Sequence, residues 1–455
     1  RRCAAFTLGA LLISNGLAGA GPARGADHKA SHRRIVLRSG HGITVKSQRS
    51  IGQRQLDATV LPSALGRALH VRILLPVHFH AQPHHRYPVL YLFHGTSGRG
   101  SDLIRLGDAA RIERPYRLIT VMPDVGFGGD GGGLFTNWVD RHTSMGRSQW
   151  ERYEVHELIP WIDTNLPAVA ARRGRAAAGM SQGGYGAAAL AARHPDRFTE
   201  MASFSGTPEM WRDIDIRTVG IGLVDAILVG LDNVGPDSAF GDPITDSIDW
   251  QGHDPALMLG NFRGMGLWLS TGNGLPGKRD NPTDPGTTAG GAAIEAGSHI
   301  DTVAFHQHLL DAHIPHHYDF YGNGTHIWPY WRRDLRKFMP AMMRRFAHPT
   351  GPSRIQYRSI RPRWAQWGWS AHLHRGPPLQ FSRLFDATAA GFRFTGSGTA
   401  IVRTARLYSP SATYAVSTAA RPPTLTRASR SGRLVVRVPL GRSVRTVHVQ
   451  VTERR

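Results

Sequence analysis

One pentapeptide, Gly179-Met180-Ser181-Gln182-Gly183, constrains this chain more than any other stretch. Upstream, Arg175-Ala176-Ala177-Ala178 reads as a short buried strand with almost no side chain. Downstream, Gly184, Gly186 and the run Ala187 to Ala192, broken by Leu190, read as a small-faced helix ending near His194-Pro195. A G-x-S-x-G turn between strand and helix forces its serine into strained backbone geometry, and glycines on either side remove the Cβ atoms that would clash. The following helix aims its N-terminal N–H groups at any oxyanion formed there. Ser181 is therefore the candidate nucleophile.

The surrounding pattern alternates strands with helices. The runs 70–76, 87–93, 118–124, 198–204 and 266–270 have strand length, and 87–93 is apolar throughout, as a parallel strand covered on both faces must be. Residues 34–55 are polar and Gly-rich, which predicts an edge hairpin. Residues 151–166 have helical spacing, with Tyr153, Val155, Leu158, Ile159 and Ile162 on one side. The expected fold class is α/β: an α/β-hydrolase doubly wound, mostly parallel sheet, with ligands at the carboxyl ends of the strands.

A serine nucleophile needs a base, an acid to orient that base, and donors for the oxyanion. His326 stands in the Gly-rich loop Asn323-Gly324-Thr325-His326, just past the alternating run 317–321, and is the candidate base. Three carboxylates, Asp280, Asp284 and Glu295, follow the strand ending at Thr271-Gly272-Asn273-Gly274, and spacing favours none of them. His306, His308, His313, His316 and His317 are expected to be solvated. No carboxylate joins them at ligand spacing in the sequence, so neither a metal nor a cofactor is expected.

The chain has 455 residues, enough for two or three domains. Arg1-Arg2, the apolar span 4–17 and the small residues to Ala26 have the order of a secretory signal, N-terminally incomplete, and predict export. Cys3 lies within that signal, so the mature chain is expected to carry no disulfide. The catalytic domain is placed at 35–346, a linker at 347–355 and a basic all-β, sandwich-like domain at 356–455, with strands at 379–385, 392–395, 400–407, 434–439 and 446–451. The net charge of +22 is carried mainly by arginine. From Arg354 onward 18 arginines oppose only Asp386 and Glu453, a net +16. They are scattered through strands, which favours a solvated surface over a nucleic-acid site. Contact with an acidic envelope surface is the alternative. Trp364, Trp367 and Trp369 are expected to pack between the two domains, with sugar stacking as the other use.

These residues resemble the antigen 85 mycolyltransferases and their esterase relatives, near the carboxylesterase D and enterochelin-esterase group. The resemblance covers roughly 35–346. It rests on the elbow, Leu134-Phe135-Thr136-Asn137-Trp138, Trp150-Glu151, 158–162, the long insertion after Phe204, Phe240-Gly241-Asp242-Pro243 with Asp254-Pro255, 270–274, and Asn323-Gly324-Thr325-His326 with Trp328-Pro329-Tyr330-Trp331. It implies a catalytic glutamate ten residues before an aromatic, here Glu295 before Phe305, and oxyanion donors at the backbone N–H groups of Thr96 and Gln182. Where mycolyltransferases carry Asp-Gly-Leu-Arg, this chain has His94-Gly95-Thr96-Ser97, so two polar contacts to a sugar acceptor are replaced. His94, Ser97 and Trp328 are the remaining candidate substrate contacts. The apolar segment 219–231 is either the wall of an acyl channel or a buried lid helix. The resemblance implies a secreted serine esterase acting on small-molecule, lipid or glycolipid esters. Acyl transfer to a sugar or glycerol alcohol is the first alternative, and an inactive hydrolase domain serving a wall-binding protein the second.

Overall fold

A computed structural model describes residues 35–79, 84–127, 131–281, 283, 285–418 and 421–453. The predicted signal at 1–26 lies outside the described residues. Among the described residues nine strands form the main sheet: β1 (Ile43–Ile51), β2 (Gln55–Pro62), β3 (Leu69–Leu74), β4 (Val89–Phe93), β5 (Ile119–Pro123), β8 (Arg175–Met180), β9 (Glu200–Phe204), β10 (Gly266–Thr271) and β11 (His317–Phe320). Their spatial order is β1-β2-β3-β5-β4-β8-β9-β10-β11. From β5 to β11 every pairing is parallel, while β1, β2 and β3 join antiparallel. The edge hairpin is present but runs later in the chain than 34–55. A separate hairpin of β6 (Asn137–Thr143) and β7 (Gly146–Gln149) was not anticipated.

β4, β5, β8, β9 and β10 are buried along their whole length, which is why they read as unbroken runs rather than alternating ones. On one face Leu90, Leu92, Ala176, Ala178 and Phe204 pack with helices Asp102–Arg105, Ala109–Ile112 and Trp328–Ala347. On the other, Phe93 meets Phe135 edge-on and Tyr91 meets Phe198. The elbow helix Gln182–Arg193 lies here, and all twelve of its residues are buried. Its small side chains explain how a helix can come so close: a Cβ on Gly186 would stand 2.3 Å from the Phe135 ring. The predicted helix over 151–166 opens as a wide π-turn, Arg152–Leu158, before the regular helix Ile159–Asn165, and its five predicted apolar residues are all buried.

The C-terminal region is all β: β12 (Ile355–Ser359), β13 (Arg363–Gln366), β14 (Trp369–His374), β15 (Ser382–Thr388), β16 (Gly391–Arg403), β17 (Thr413–Thr418), β18 (Arg421–Arg427) and β19 (Val435–Glu453). They form one hydrogen-bonded sheet rather than two separate ones. Two pairs of predicted strands are each a single long strand, β16 and β19, bulged around Gly396, Gly398 and Gly441. The first half of β16 pairs with β15 and the second half with β14. A bulge lets one strand serve both halves, and together they enclose one core containing Trp369, Phe392, Phe394, Val438 and Val449.

Residues from Val36 to Arg455 form a single compact unit. The Tyr357 hydroxyl and the Gln366 amide both donate to the Arg193 carbonyl, at 2.9 and 3.2 Å. The Trp367 N–H donates to Asp196 at 3.0 Å, and the Arg172 guanidinium lies 5.0 Å above its ring. Trp367 thus joins the two regions as expected. Trp364 and Trp369 do not: they belong to the β core, Trp364 stacking on Phe394.

The junction is also tied by Asn261. Its amide nitrogen donates to Ala192 and Arg358 carbonyls at 2.8 and 3.0 Å, while its oxygen accepts from the Arg358 N–H at 2.8 Å. Asn261→Ala leaves those buried groups unpaired and is expected to cost about 2 kcal/mol. Urea unfolding of the full chain should show a lower midpoint, whereas Lys278→Ala on the exposed surface should not.

Candidate active site

Ser181 closes β8 with φ 56° and ψ −130°, a conformation rarely tolerated with a side chain. Close approach holds it there. A Cβ on Gly179 would meet the Gly183 carbonyl at 2.2 Å, and one on Gly183 would meet the Phe93 carbonyl at 2.4 Å. The Ser181 N–H donates to the Phe204 carbonyl at 2.9 Å, fixing the turn to the neighbouring strand end. Gly95 brings the β4 loop against the nucleophile: its Cβ would stand 2.9 Å from the Ser181 Cβ.

The loop after β11 carries His326, whose N–H donates to the Gly291 carbonyl at 3.0 Å. Its Nδ1 lies 2.8 Å from Glu295 Oε2. Glu295 is fully buried on the helix Pro285–Asp311, and its Oε1 accepts from Gly272 N–H (2.7 Å), Ser205 (2.9 Å), Tyr321 (3.1 Å) and Thr271 (3.2 Å). Burial alone raises a carboxyl pKa. Here the bonds from His326, Gly272 and Ser205 outweigh it and hold Glu295 below the ordinary range. An ionised Glu295 makes Nδ1 the protonated nitrogen and leaves the Nε2 lone pair free to accept a proton. Nε2 is buried and has no hydrogen-bond partner among the described residues. Trp331 meets the imidazole edge-on at 4.9 Å, limiting its rotation.

Asp280 serves another purpose. It accepts from Thr325 Oγ1, from the Tyr330 hydroxyl at 2.7 Å and from the Gly277 N–H at 2.8 Å, clamping the histidine loop from outside. Asp284 lies outside the described residues. Ser205, Thr271 and Tyr321 escaped the sequence reading, although each sits at a strand end or beside the histidine loop, where carboxylate partners belong.

Thr96, Ser181 and Gln182 line a cavity of about 290 Å³. Its walls are largely apolar, with Tyr185, Met210, Ile216, Val224 and Ile227 among them. The segment 219–231 is helical, in Ile214–Asp225 and Ala226–Leu231, and supplies one wall. Its Val219 and Leu223 line the cavity yet remain exposed, so the helix is both wall and surface cover rather than a buried lid.

Two candidate substrate contacts are corrected. His94 is buried: Nε2 accepts from the Val125 N–H at 2.9 Å, which leaves Nδ1 protonated and donating to the Gly95 carbonyl at 2.7 Å. Both ring nitrogens are used, and burial lowers the pKa, so the ring is a neutral brace between the β4 and β5 loops. Trp328 does not line the cavity; its ring packs edge-on against Trp331 at 5.1 Å. Ser97 is exposed, with φ 62°.

Of the five histidines expected to be solvated, His313 and His317 are exposed, whereas His306, His308 and His316 are half-buried. His306 bonds His316 at 2.6 Å and stacks on Tyr318, and His317 stacks on Trp268. His308 Nε2 sits 3.2 Å from Glu209 and 3.3 Å from Asp213, carboxylates that folding brings from far away in sequence. Burial and the neighbouring Asp254 and Asp213 push Glu209 up to about 8. Among the described residues these three can hold a metal ion, their ligand atoms lying within 4.8 Å of one another. Burial lowers the His308 pKa, so a neutral imidazole stands between the two carboxylates.

A mostly parallel sheet with a strained serine between strand and helix, and an acid–imidazole pair beyond the later strands, defines an α/β-hydrolase. The profile of the Putative esterase family matches residues 63–342, and the chain belongs to that family. Among curated proteins it is 29% identical to Esterase Rv1288 of Mycobacterium tuberculosis, over 56% of this chain and 52% of that protein. It is 29% identical to diacylglycerol acyltransferase/mycolyltransferase Ag85B of Mycobacterium leprae, over 54% of this chain and 76% of that protein. The chain thus spans about half the length of the first of these relatives. A solved structure of M. tuberculosis MPT51 aligns at 24% identity with a TM-score of 0.49, over 62% of this chain and 96% of that one.

The roles of the two carboxylates separate by mutation. Glu295→Gln is expected to lower kcat by about three to four orders of magnitude. Asp280→Asn, which loosens the loop but leaves the imidazole its acid, is expected to lower kcat far less and the melting temperature by several degrees. Steady-state kinetics and thermal melts of both variants check this. Because the Glu295 pKa is lowered on folding, its stabilisation is present above the ordinary carboxylate range and is lost as pH falls through the lowered value. From about pH 6 to about pH 3 the native chain should therefore lose more stability than Glu295→Gln.

Proposed function

We propose that the chain is an exported serine esterase that hydrolyses carboxylic esters through an acyl-enzyme. The observation carrying this reading is the 2.8 Å bond from His326 to the buried, multiply bonded Glu295, beside a cavity lined by Ser181, Thr96 and Gln182. In the mechanism, His326 Nε2 takes the Ser181 proton as Oγ attacks the ester carbonyl. Glu295 stabilises the imidazolium, and the backbone N–H groups of Thr96 and Gln182 receive the oxyanion, each such donor contributing about 3–4 kcal/mol. The imidazolium then protonates the leaving alcohol; water takes its place, gives a proton to His326 Nε2 as it attacks the acyl carbon, and that proton returns to Ser181 Oγ as the acid departs.

Membership of the esterase family and likeness to acyltransferases support acyl-ester chemistry. The choice of water over an alcohol rests on this chain's own residues. His94 is committed to two backbone groups, so one of the two replaced positions offers an acceptor sugar nothing. Acyl transfer to a sugar or glycerol alcohol remains the second reading, favoured by the largely apolar cavity, since a shielded acyl-enzyme outlasts competing water. Export is proposed from the order of residues 1–26; among the described residues no helix is long and apolar enough to cross a membrane.

A fluorophosphonate probe should label the purified chain at Ser181, and Ser181→Ala should abolish both labelling and turnover of p-nitrophenyl esters. Folded protein that takes no label at Ser181 would sink the assignment. With one acyl donor and rising trehalose or glycerol, free acid should dominate the products. Efficient acylation of trehalose at about millimolar concentration, well within ordinary KM ranges, would replace the hydrolase by the transferase.

A further inference from the structure

A second cavity, of about 480 Å³, opens at the seam between the hydrolase sheet and the C-terminal β region. It is larger than the one at Ser181 and differs in character. From the hydrolase side it is lined by Arg141, Glu151, Arg193 and Asp249, and from β13 and the turn before it by Arg361, Arg363, Trp364 and Gln366.

Charge is unbalanced there. Four guanidiniums face two carboxylates, a surplus of two positive charges when the histidines are counted neutral. Glu151 is already consumed by Arg193, with bonds of 2.9 and 2.7 Å, and by His194 at 2.7 Å. Asp249 stands 3.9 Å from Arg361, too far for a hydrogen bond. Among the described residues the guanidiniums of Arg141 and Arg363, both exposed, have neither a hydrogen bond nor an ion pair.

Buried polar atoms of residues that line the cleft also lack hydrogen-bond partners. Trp364 and Gln366 are more than nine-tenths buried, yet Trp364 Nε1 and Gln366 Oε1 have no partner among the described residues, and neither does Asp249 Oδ1. A buried polar group left unpaired costs about 1–3 kcal/mol, so a cluster of them points to an occupant. The Trp364 ring face is taken by Phe394, so the occupant meets its N–H edge rather than stacking on it.

We infer that this cleft binds a phosphorylated sugar or polyol: Arg141, Arg361, Arg363 and the Trp364 N–H receive the phosphate, while Gln366 Oε1 and Asp249 Oδ1 accept neighbouring hydroxyls. A phosphate monoester carries close to two negative charges at neutral pH, matching the surplus. Its three oxygens suit several guanidiniums converging from different directions. The paired acceptors distinguish a hydroxylated ligand from bare phosphate. The cleft lies at the far end of the elbow helix from Ser181, so it acts as an anchoring site and not as part of the ester chemistry.

Calorimetric titration of the full chain tests this with glucose 6-phosphate, glucose, inorganic phosphate and a poly(glycerol phosphate) polymer. Glucose 6-phosphate is expected to bind, inorganic phosphate more weakly, and glucose not at all. The polymer's internal phosphates are diesters with one charge each, so polymer binding in addition would identify a chain-borne phosphodiester as the source, and its absence a free phosphate monoester. Arg141→Gln/Arg363→Gln should weaken glucose 6-phosphate binding by about tenfold or more, and Trp364→Phe, which keeps the packing and removes the donor, by a few-fold. Ester turnover by these variants should equal that of the native chain, which shows them folded and separates this result from that for Ser181. No binding of any phosphorylated probe by the native chain would overturn the inference. Undiminished binding by both Trp364→Phe and the double variant would also overturn it.

Discussion

Everything near the nucleophile follows from how little room the backbone leaves there. With Gly179 and Gly183 in contact across the elbow and Gly95 pressed on Ser181 from the next loop, no side chain fits at those positions. The same crowding demands alanines along β8 and a helix whose every residue is buried. That helix anchors no large hydrophobic side chain apart from Tyr185 and Leu190, so the bulk needed to cover the sheet comes from elsewhere, notably Phe135 and Phe198. The small residues are thus the condition for the strained serine rather than a by-product of composition, and the larger aromatics around them compensate for lost contact area.

The parts of the site that could be read from the sequence are those encoded locally. A glycine-flanked serine between an apolar strand and a small-residue helix carries its own geometry, and so does a histidine in a Gly-rich loop after an alternating strand. Glu295 differs. It lies within a long helix that has no cap or turn signal beside it, and three carboxylates share the region. Only the resemblance singled it out, because what distinguishes it is convergence of Gly272, Ser205, Thr271 and Tyr321 from three other segments. Asp280 is just as polar and nearer in sequence to the strand, yet its partners are Thr325 and Tyr330. Tertiary contacts decide which carboxylate reaches the imidazole.

Burial was the least readable quantity. His94 looks like a polar contact at a loop mouth, and only the folded chain shows both ring nitrogens occupied by backbone. His308 looks solvated until Glu209 and Asp213 arrive from the segment after β9. In the C-terminal region alternation found residues of β15, β16 and β19 but missed β12, β13, β14, β17 and β18, and period-two patterning cannot tell two strands from one strand with a bulge. Hence β16 and β19 each appeared as a pair.

The seam at Arg193 has a consequence for how such a chain can vary over evolutionary time. The C-terminal end of the elbow helix is completed by the β region: Tyr357 and Gln366 occupy the Arg193 carbonyl, and Asn261 stitches Ala192 to Arg358. A tail fastened at this point is not an interchangeable cassette. Losing or swapping it would uncover the last carbonyls of the helix that begins at the nucleophile, so a replacement tail must bring its own donors for them.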